Sequence, residues 1–269
     1  MFDLSTLPDN IASKIEDVTY TLDDFGCSGS TIMLFDKIVL KIEKISHSSE
    51  HELKLLNWLH GKLPVPKIIG AETRDGCSFL LMSRLPDEMT CSENSMKDAQ
   101  HTAYAVKALA KALKMLWSVD IRDCPFSNVL SEKLAEATRN IKNGLVDVND
   151  FQPETLGPGG FKDVWDLYGY LESNRPEEDL VFSHGDFCLP NVFASGEDVT
   201  GFLDWGTGGA ADRWQDIALC VRSLRYNCVH CAGYSEADYQ KYRALLFREL
   251  GMEPDEEKIR YYILLDELF

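Results

Sequence analysis

Two kinds of apolar spacing follow one another along the chain. Over the first third the apolar runs are short and rich in β-branched residues: 18–22, 31–35, 38–42, 66–69 and 78–82. Runs of this length, bounded by Gly, Pro, Ser and Asp, predict strands. Asp36-Lys37 marks a turn, and Gly26, Ser28, Gly29 and Ser30 a Gly/Ser-rich loop. Such a loop either drapes its N–H groups over phosphates or simply closes a hairpin. Within this third, Leu53, Leu56, Trp58 and Leu59 recur at helical spacing and predict a helix over 50–63, with Gly61 and Pro64 marking its end. The pattern breaks at Leu85-Pro86. Beyond it the helical period dominates over 101–119, 139–142, 162–171, 212–228, 239–250 and 258–268, with Asp212 as an N-cap and 157–160 as a loop. Only 180–204 returns to strand-like runs. The expectation is an α+β chain of two lobes, a small β-rich lobe over 1–84 and a larger helical lobe over 85–269. A nucleotide fits the cleft between two such lobes.

Composition narrows the class. At 269 residues with 45% hydrophobic and 26% charged residues, the chain can bury a large core as an ordinary globular protein. No apolar run reaches the ~18 residues of a membrane span. The opening Met-Phe-Asp-Leu-Ser lacks the basic-then-apolar order of a secretory leader, so a cytoplasmic location is expected. The eight cysteines are irregularly spaced and read as small buried hydrophobes or free thiols. Cys228-Val-His-Cys231 offers fewer ligands than the four of a closed zinc site. With 27 basic and 44 acidic residues the net charge is −17. That argues against a nucleic-acid partner and is compatible with a small polycation, although solubility alone also accounts for it.

The chemistry concentrates in Val181-Phe-Ser-His184-Gly-Asp186-Phe-Cys-Leu-Pro-Asn191 and Gly201-Phe-Leu-Asp204-Trp-Gly206. Phosphoryl transfer needs an Asp to orient the acceptor hydroxyl and take its proton, and an Asn and a second Asp to hold Mg²⁺ on the phosphates. Asp186, Asn191 and Asp204 follow that order. Lys41 ends a strand-like run, and Glu52, with Glu50 as a rival, lies on the helix that follows. A strand Lys held by a helix Glu contacts the α/β-phosphates in bilobal kinases. His184 is expected to hold the loop and Asp216 to brace it. Neither a Walker-type Gly-x4-Gly-Lys-Ser/Thr nor a Gly-x-Ser-x-Gly or His-Glu-x-x-His segment occurs.

Further segments join this set: Trp58-Leu-His-Gly-Lys-Leu-Pro-Val-Pro66, Asp120-Ile-Arg-Asp-Cys-Pro-Phe126, Ala211-Asp-Arg-Trp-Gln-Asp216-Ile-Ala and Tyr261-Tyr-Ile-Leu-Leu-Asp-Glu-Leu-Phe269. Together they resemble the aminoglycoside 3′-phosphotransferases, the kanamycin kinases, over nearly the whole chain. The resemblance implies a protein-kinase-like fold, ATP with Mg²⁺ as donor, and a polycationic aminoglycoside as acceptor. It implies that Ser28 approaches the β-phosphate and that the Ser83 and Leu85 backbones hold the adenine edge. It places Arg222, Asp266, Glu267, the Phe269 carboxylate and Glu154 at drug-contacting positions. A monomer or weak dimer is expected.

There are departures. Val39 stands where some members stack a Tyr on adenine, and Leu189 replaces an acidic position of some. Thr207 and Tyr226 stand where familiar members carry Arg and an acidic drug contact. Removing a carboxylate opposite an ammonium forfeits a charge-assisted bond of ~1.5–3 kcal/mol, so these departures bear on the drug spectrum more than on the chemistry. A kinase of the same fold acting on a choline- or sugar-like hydroxyl is the alternative, and a non-catalytic nucleotide-binding scaffold the next.

Overall fold

The computed structural model describes residues 7–15, 19–22 and 30–269. An antiparallel sheet of order β1-β2-β3-β5-β4 comes first: β1 (Thr21–Leu22), β2 (Thr31–Leu34), β3 (Ile38–Lys44), β4 (Ile68–Arg74) and β5 (Cys77–Ser83). Period-two alternation divides β3 between two environments. Leu40 and Ile42 join Met33, Phe35, Phe79 and Leu81 in a compact core with Ile11 of the short α1 (Asp9–Ala12). Lys41 falls on the opposite face, its cross-strand partner Leu80 belonging to the larger core with Met82 and Leu55.

The helix α2 (His47–Leu59) follows β3 and starts earlier than its apolar stripe predicts. Ser46 and Ser49 cap each other reciprocally, satisfying N–H groups that would otherwise be orphaned. Gly61, with φ +78°, turns the chain just past its end. The strand expected over 66–69 begins later and runs longer, as β4. Residues 23–29 of the Gly/Ser-rich loop, Ser28 included, lie outside the described residues.

The helical part comprises α3 (Ala99–Trp117), α4 (Leu130–Asn143), α5 (Val164–Ser173), α6 (Arg213–Tyr226), α7 (Glu236–Leu250) and α8 (Glu256–Asp266). The side chain of Asp212 caps α6 by accepting from the Trp214 N–H. Ile217, Ala218, Cys220 and Leu224 are all buried, because α6 is packed by its neighbours on several sides. Between α5 and α6 lie more strands than the two expected. β7 (Leu180–Ser183) pairs with β10 (Gly209–Asp212), while β8 (Val192–Ser195) lies between β6 (Glu88–Met89) and β9 (Asp198–Phe202). β6 has two residues and β10 reads Gly-Ala-Ala-Asp, so neither carries the β-branched signal that marks a strand. Among the described residues no helix is long and apolar enough to cross a membrane.

Candidate active site

The outward face of β3 presents Lys41 to α2, whose inner face carries Glu52 beside Leu55, Leu56 and Leu59. The Lys41 Nζ lies 2.8 Å from a Glu52 carboxylate oxygen, 3.6 Å from Glu43 and 3.9 Å from Asp204. Glu50 is exposed. Burial disfavours the Lys41 ammonium, but Glu52, Asp204 and Glu43 outweigh it and hold the lysine above its ordinary value. Burial pushes the Glu52 carboxyl up, against the pull of Lys41. Next to Glu52, His51 stacks on Phe126 with centroids 3.5 Å apart and bonds the Gly208 carbonyl at 2.6 Å. That contact ties α2 to the loop carrying Asp204.

After β7 the chain turns through Gly185, whose φ is +83°. A Cβ there would stand 2.1 Å from the Thr207 carbonyl oxygen, so only glycine allows this approach. The N–H groups of His184 and Gly185 donate to the two carboxylate oxygens of Asp216 at 2.8 and 3.0 Å. Asp216 is fully buried in the first turn of α6. Burial raises its pKa against the opposing effect of His184 and these donors. His184 Nε2 reaches the Leu203 carbonyl at 2.8 Å, joining the segment that carries Asp186 to the one that carries Asp204.

Asp186 is held on both carboxylate oxygens. Asn191 Nδ2 donates to Oδ2 at 3.0 Å and to the Asp186 main-chain carbonyl at 2.9 Å, and the Cys188 thiol donates to Oδ1 at 3.1 Å. Burial, reinforced by Asp186, pushes the Cys188 thiol up and keeps it a donor. Because the Asn191 nitrogen faces Asp186, its side-chain oxygen is left for another partner. Asp204 sits in the left-handed region at φ +61°, its carboxylate half exposed and nearest to Lys41. Two oxygen donors of this kind fit a hard cation such as Mg²⁺.

Lys41, Asp186 and Asp204 line a cavity of about 800 Å³ that Asp266 and Phe269 line as well. The remaining expected drug contacts are distributed differently. Arg222 reaches Asp266 at 2.6 Å, and this carboxylate outweighs burial to keep the guanidinium raised. Glu267 is buried; its Oε1 accepts from the Gln152 N–H and the Thr155 hydroxyl, both at 3.0 Å, and burial raises its pKa. Its Oε2 is buried without a hydrogen-bond partner. Glu154 is exposed and is not part of the cavity lining. Ser83 commits its N–H to the Lys67 carbonyl and its Oγ to the Lys67 N–H. Leu85, just past β5, packs its side chain against Gly201.

Two groups at this site escaped the sequence reading. Cys188 looked like a buried hydrophobe, although its place two residues after Asp186 was a usable signal. Lys133 lines the cavity from the first part of α4, whose expected extent covered only 139–142. The stripe Leu130, Leu134, Ala137 would have revealed the longer helix.

Comparison with known proteins points the same way. A family model described as the phosphotransferase enzyme family, APH, matches residues 24–247. An aminoglycoside 3′-phosphotransferase of Enterococcus faecalis is 43% identical over 224 residues, 83% of this chain and 80% of that protein. The crystal structure of a type VIII aminoglycoside 3′-phosphotransferase matches with a TM-score of 0.77 at 27% identity, over 93% of each chain. An aminoglycoside phosphotransferase of Streptomyces rimosus, solved in complex with ADP and streptomycin, shares the fold. Its TM-score is 0.74 at 23% identity, over 91% of this chain and 94% of that one.

Proposed function

This chain belongs to the aminoglycoside 3′-phosphotransferase family, and from that premise we propose that it transfers the γ-phosphoryl group of ATP to the 3′-hydroxyl of an aminoglycoside antibiotic, giving resistance. The carrying observation is one cavity that joins Lys41, Asp186 and Asp204 to Asp266 and Phe269. Groups suited to phosphoryl transfer and a carboxylate suited to an ammonium-bearing acceptor open onto the same space.

Phosphoryl transfer passes through a loose transition state, so the protein's work is positioning and charge stabilisation. Lys41, aimed by Glu52, contacts the α/β-phosphates. Asp186 aligns the acceptor hydroxyl and takes its proton as the new P–O bond forms; Asn191 and Cys188 keep the carboxylate oriented for this. The hydrogen bonds from His184 and Gly185 to Asp216 fix the loop without touching substrate. A Mg²⁺ ion held by the Asn191 oxygen and Asp204 would neutralise phosphate oxygens. Adenine lies against Val39 and hydrogen-bonds the backbone at Ser83, whose N–H is committed to Lys67 so that its carbonyl is the acceptor, and at Leu85, where the 1–84 lobe meets the 85–269 lobe. Ser28 approaches the β-phosphate. Arg222 steadies Asp266, and Glu267, outside the cavity lining, ties the end of α8 to Gln152 and Thr155, with Glu154 on the loop beside it. We place the enzyme in the cytoplasm, where ATP is available, as a monomer or weak dimer.

The test is ADP release with aminoglycosides, choline and simple sugars offered separately. Release dependent on an aminoglycoside is expected. Turnover driven by choline or a sugar, with none on any aminoglycoside, would assign the fold to another acceptor.

A further inference from the structure

The acceptor end of the cavity already contains a cation. Lys133 of α4 lines the cavity together with Asp186 and Asp266, and it also lines a narrow crevice behind it beside Leu219 and Tyr262. Its ammonium stands over the Phe269 ring, 4.1 Å from the centroid, which is cation–π geometry. Arg222, the neighbouring cation, has Asp266 at 2.6 Å. Among the described residues Lys133 has no ion-pair partner; the Phe269 ring faces its ammonium, Glu136, Asp266 and Asp186 act on it from farther away, and His51 lies near enough to feel its charge.

An aromatic face beside carboxylates is the chemistry that receives an ammonium group. We propose that Lys133 is a specificity-determining residue. It occupies this ammonium-binding place itself, and so favours aminoglycosides that present a hydroxyl there over those that present an amine. An acceptor amine entering the same place meets a like charge. Two unit charges about 4 Å apart repel by ~1 kcal/mol even at the dielectric constant of water, which corresponds to roughly a fivefold change in affinity. An uncharged hydroxyl meets no such penalty. This inference rests on the aminoglycoside kinase reading above.

The experiment uses two aminoglycosides that differ only in an amino against a hydroxyl group on the ring bearing the 3′-hydroxyl. KM and kcat are measured for the wild type, Lys133→Met and Lys133→Arg, and the dissociation constants of both compounds are measured by calorimetry. Lys133→Met is expected to lower KM and Kd for the amino compound by roughly fivefold. The hydroxyl compound, kcat and the ATP KM should change little, and Lys133→Arg should resemble the wild type. The preference should narrow as salt is raised. An unchanged ratio of the two dissociation constants in Lys133→Met would overturn the proposal. So would an equal fall in kcat for both compounds, which would make Lys133 part of the phosphate machinery. If the wild type turned over neither compound but the calorimetric ratio still shifted, the kinase reading would fail and the role of Lys133 would stand.

Discussion

The two ends of the cavity are built differently. Around Lys41 and Asp186, the end proposed to hold the phosphates, oppositely charged or hydrogen-bonding groups lie within direct reach: Lys41 with Glu52, Asp186 with Asn191 and Cys188, and the His184 and Gly185 N–H groups with Asp216. At the end proposed for the acceptor, Lys133 of α4 and Asp266 of α8 line the cavity, Arg222 and Glu267 stand outside the lining, and the matching is incomplete. Asp266 pairs with Arg222, Glu267 has one oxygen bonded and one without a partner, and Lys133 faces a ring. Fixed groups around the reacting atoms lower the barrier because little reorganises during the reaction. Incompletely matched charges leave interactions for a substrate to complete. Changes at the first end should therefore act on kcat, and changes at the second on drug KM.

The sharpest separation comes from Asp186→Asn. It removes the proposed proton acceptor while keeping Lys41, Asn191 and Asp204, so drug-dependent turnover should fall by ~10²–10⁴-fold. Nucleotide affinity, followed by fluorescence titration, should stay close to wild type. A variant that keeps most of its kcat would move the base elsewhere in the cavity.

A double-mutant cycle on Lys41→Ala and Glu52→Gln probes the same end. Residues in direct contact couple by about 0.5–3 kcal/mol, and a 2.8 Å buried pair should lie within that range for the kcat/KM of ATP. Additive effects would mean that Glu52 does not position the lysine.

At the other end, Asp266→Asn should raise drug KM roughly tenfold, since a charge-assisted hydrogen bond is worth ~1.5 kcal/mol or more. The KM for ATP should be nearly unchanged. Equal increases in both constants would dissolve the distinction between the ends.

The smallest effect is on stability. Burial lowers the pKa of Lys133, against the pull of Glu136, Asp266 and Asp186. Its ammonium is therefore costlier in the folded protein than in the unfolded chain wherever both are charged. The cost is present near neutral pH and disappears as pH rises past 10.5, the ordinary lysine value. Lys133→Met should accordingly melt at a higher temperature than the wild type near neutral pH, with the gap closing as pH rises toward that value. A gap that widens with pH would reverse the assigned sign.

The same contrast explains what could be read from the sequence. Asp186, Cys188 and Asn191 share one short turn, so their spacing nearly dictates their geometry. The Lys41–Glu52 contact follows from a strand leading directly into a helix. The acceptor end depends on the packing of helices far apart in the chain. Nothing local in Asp-Glu-Leu-Phe turns Glu267 inward to Gln152 and Thr155, or sets Lys133 over Phe269. The same limit hid β6 and β10, whose pairing is fixed by β8 and β7 rather than by their own residues.

The most direct test follows the phosphorus. The wild type is incubated with MgATP and an aminoglycoside bearing a 3′-hydroxyl, and in parallel with its 3′-deoxy analogue, and the products are examined by phosphorus NMR. The expected result is a phosphomonoester resonance coupled to the proton at the 3′ carbon, with equimolar ADP, from the first compound alone. Conversion of ATP to free phosphate with the drug unmodified, or equal phosphorylation of the 3′-deoxy analogue, would contradict the assignment of this cavity to 3′-hydroxyl transfer.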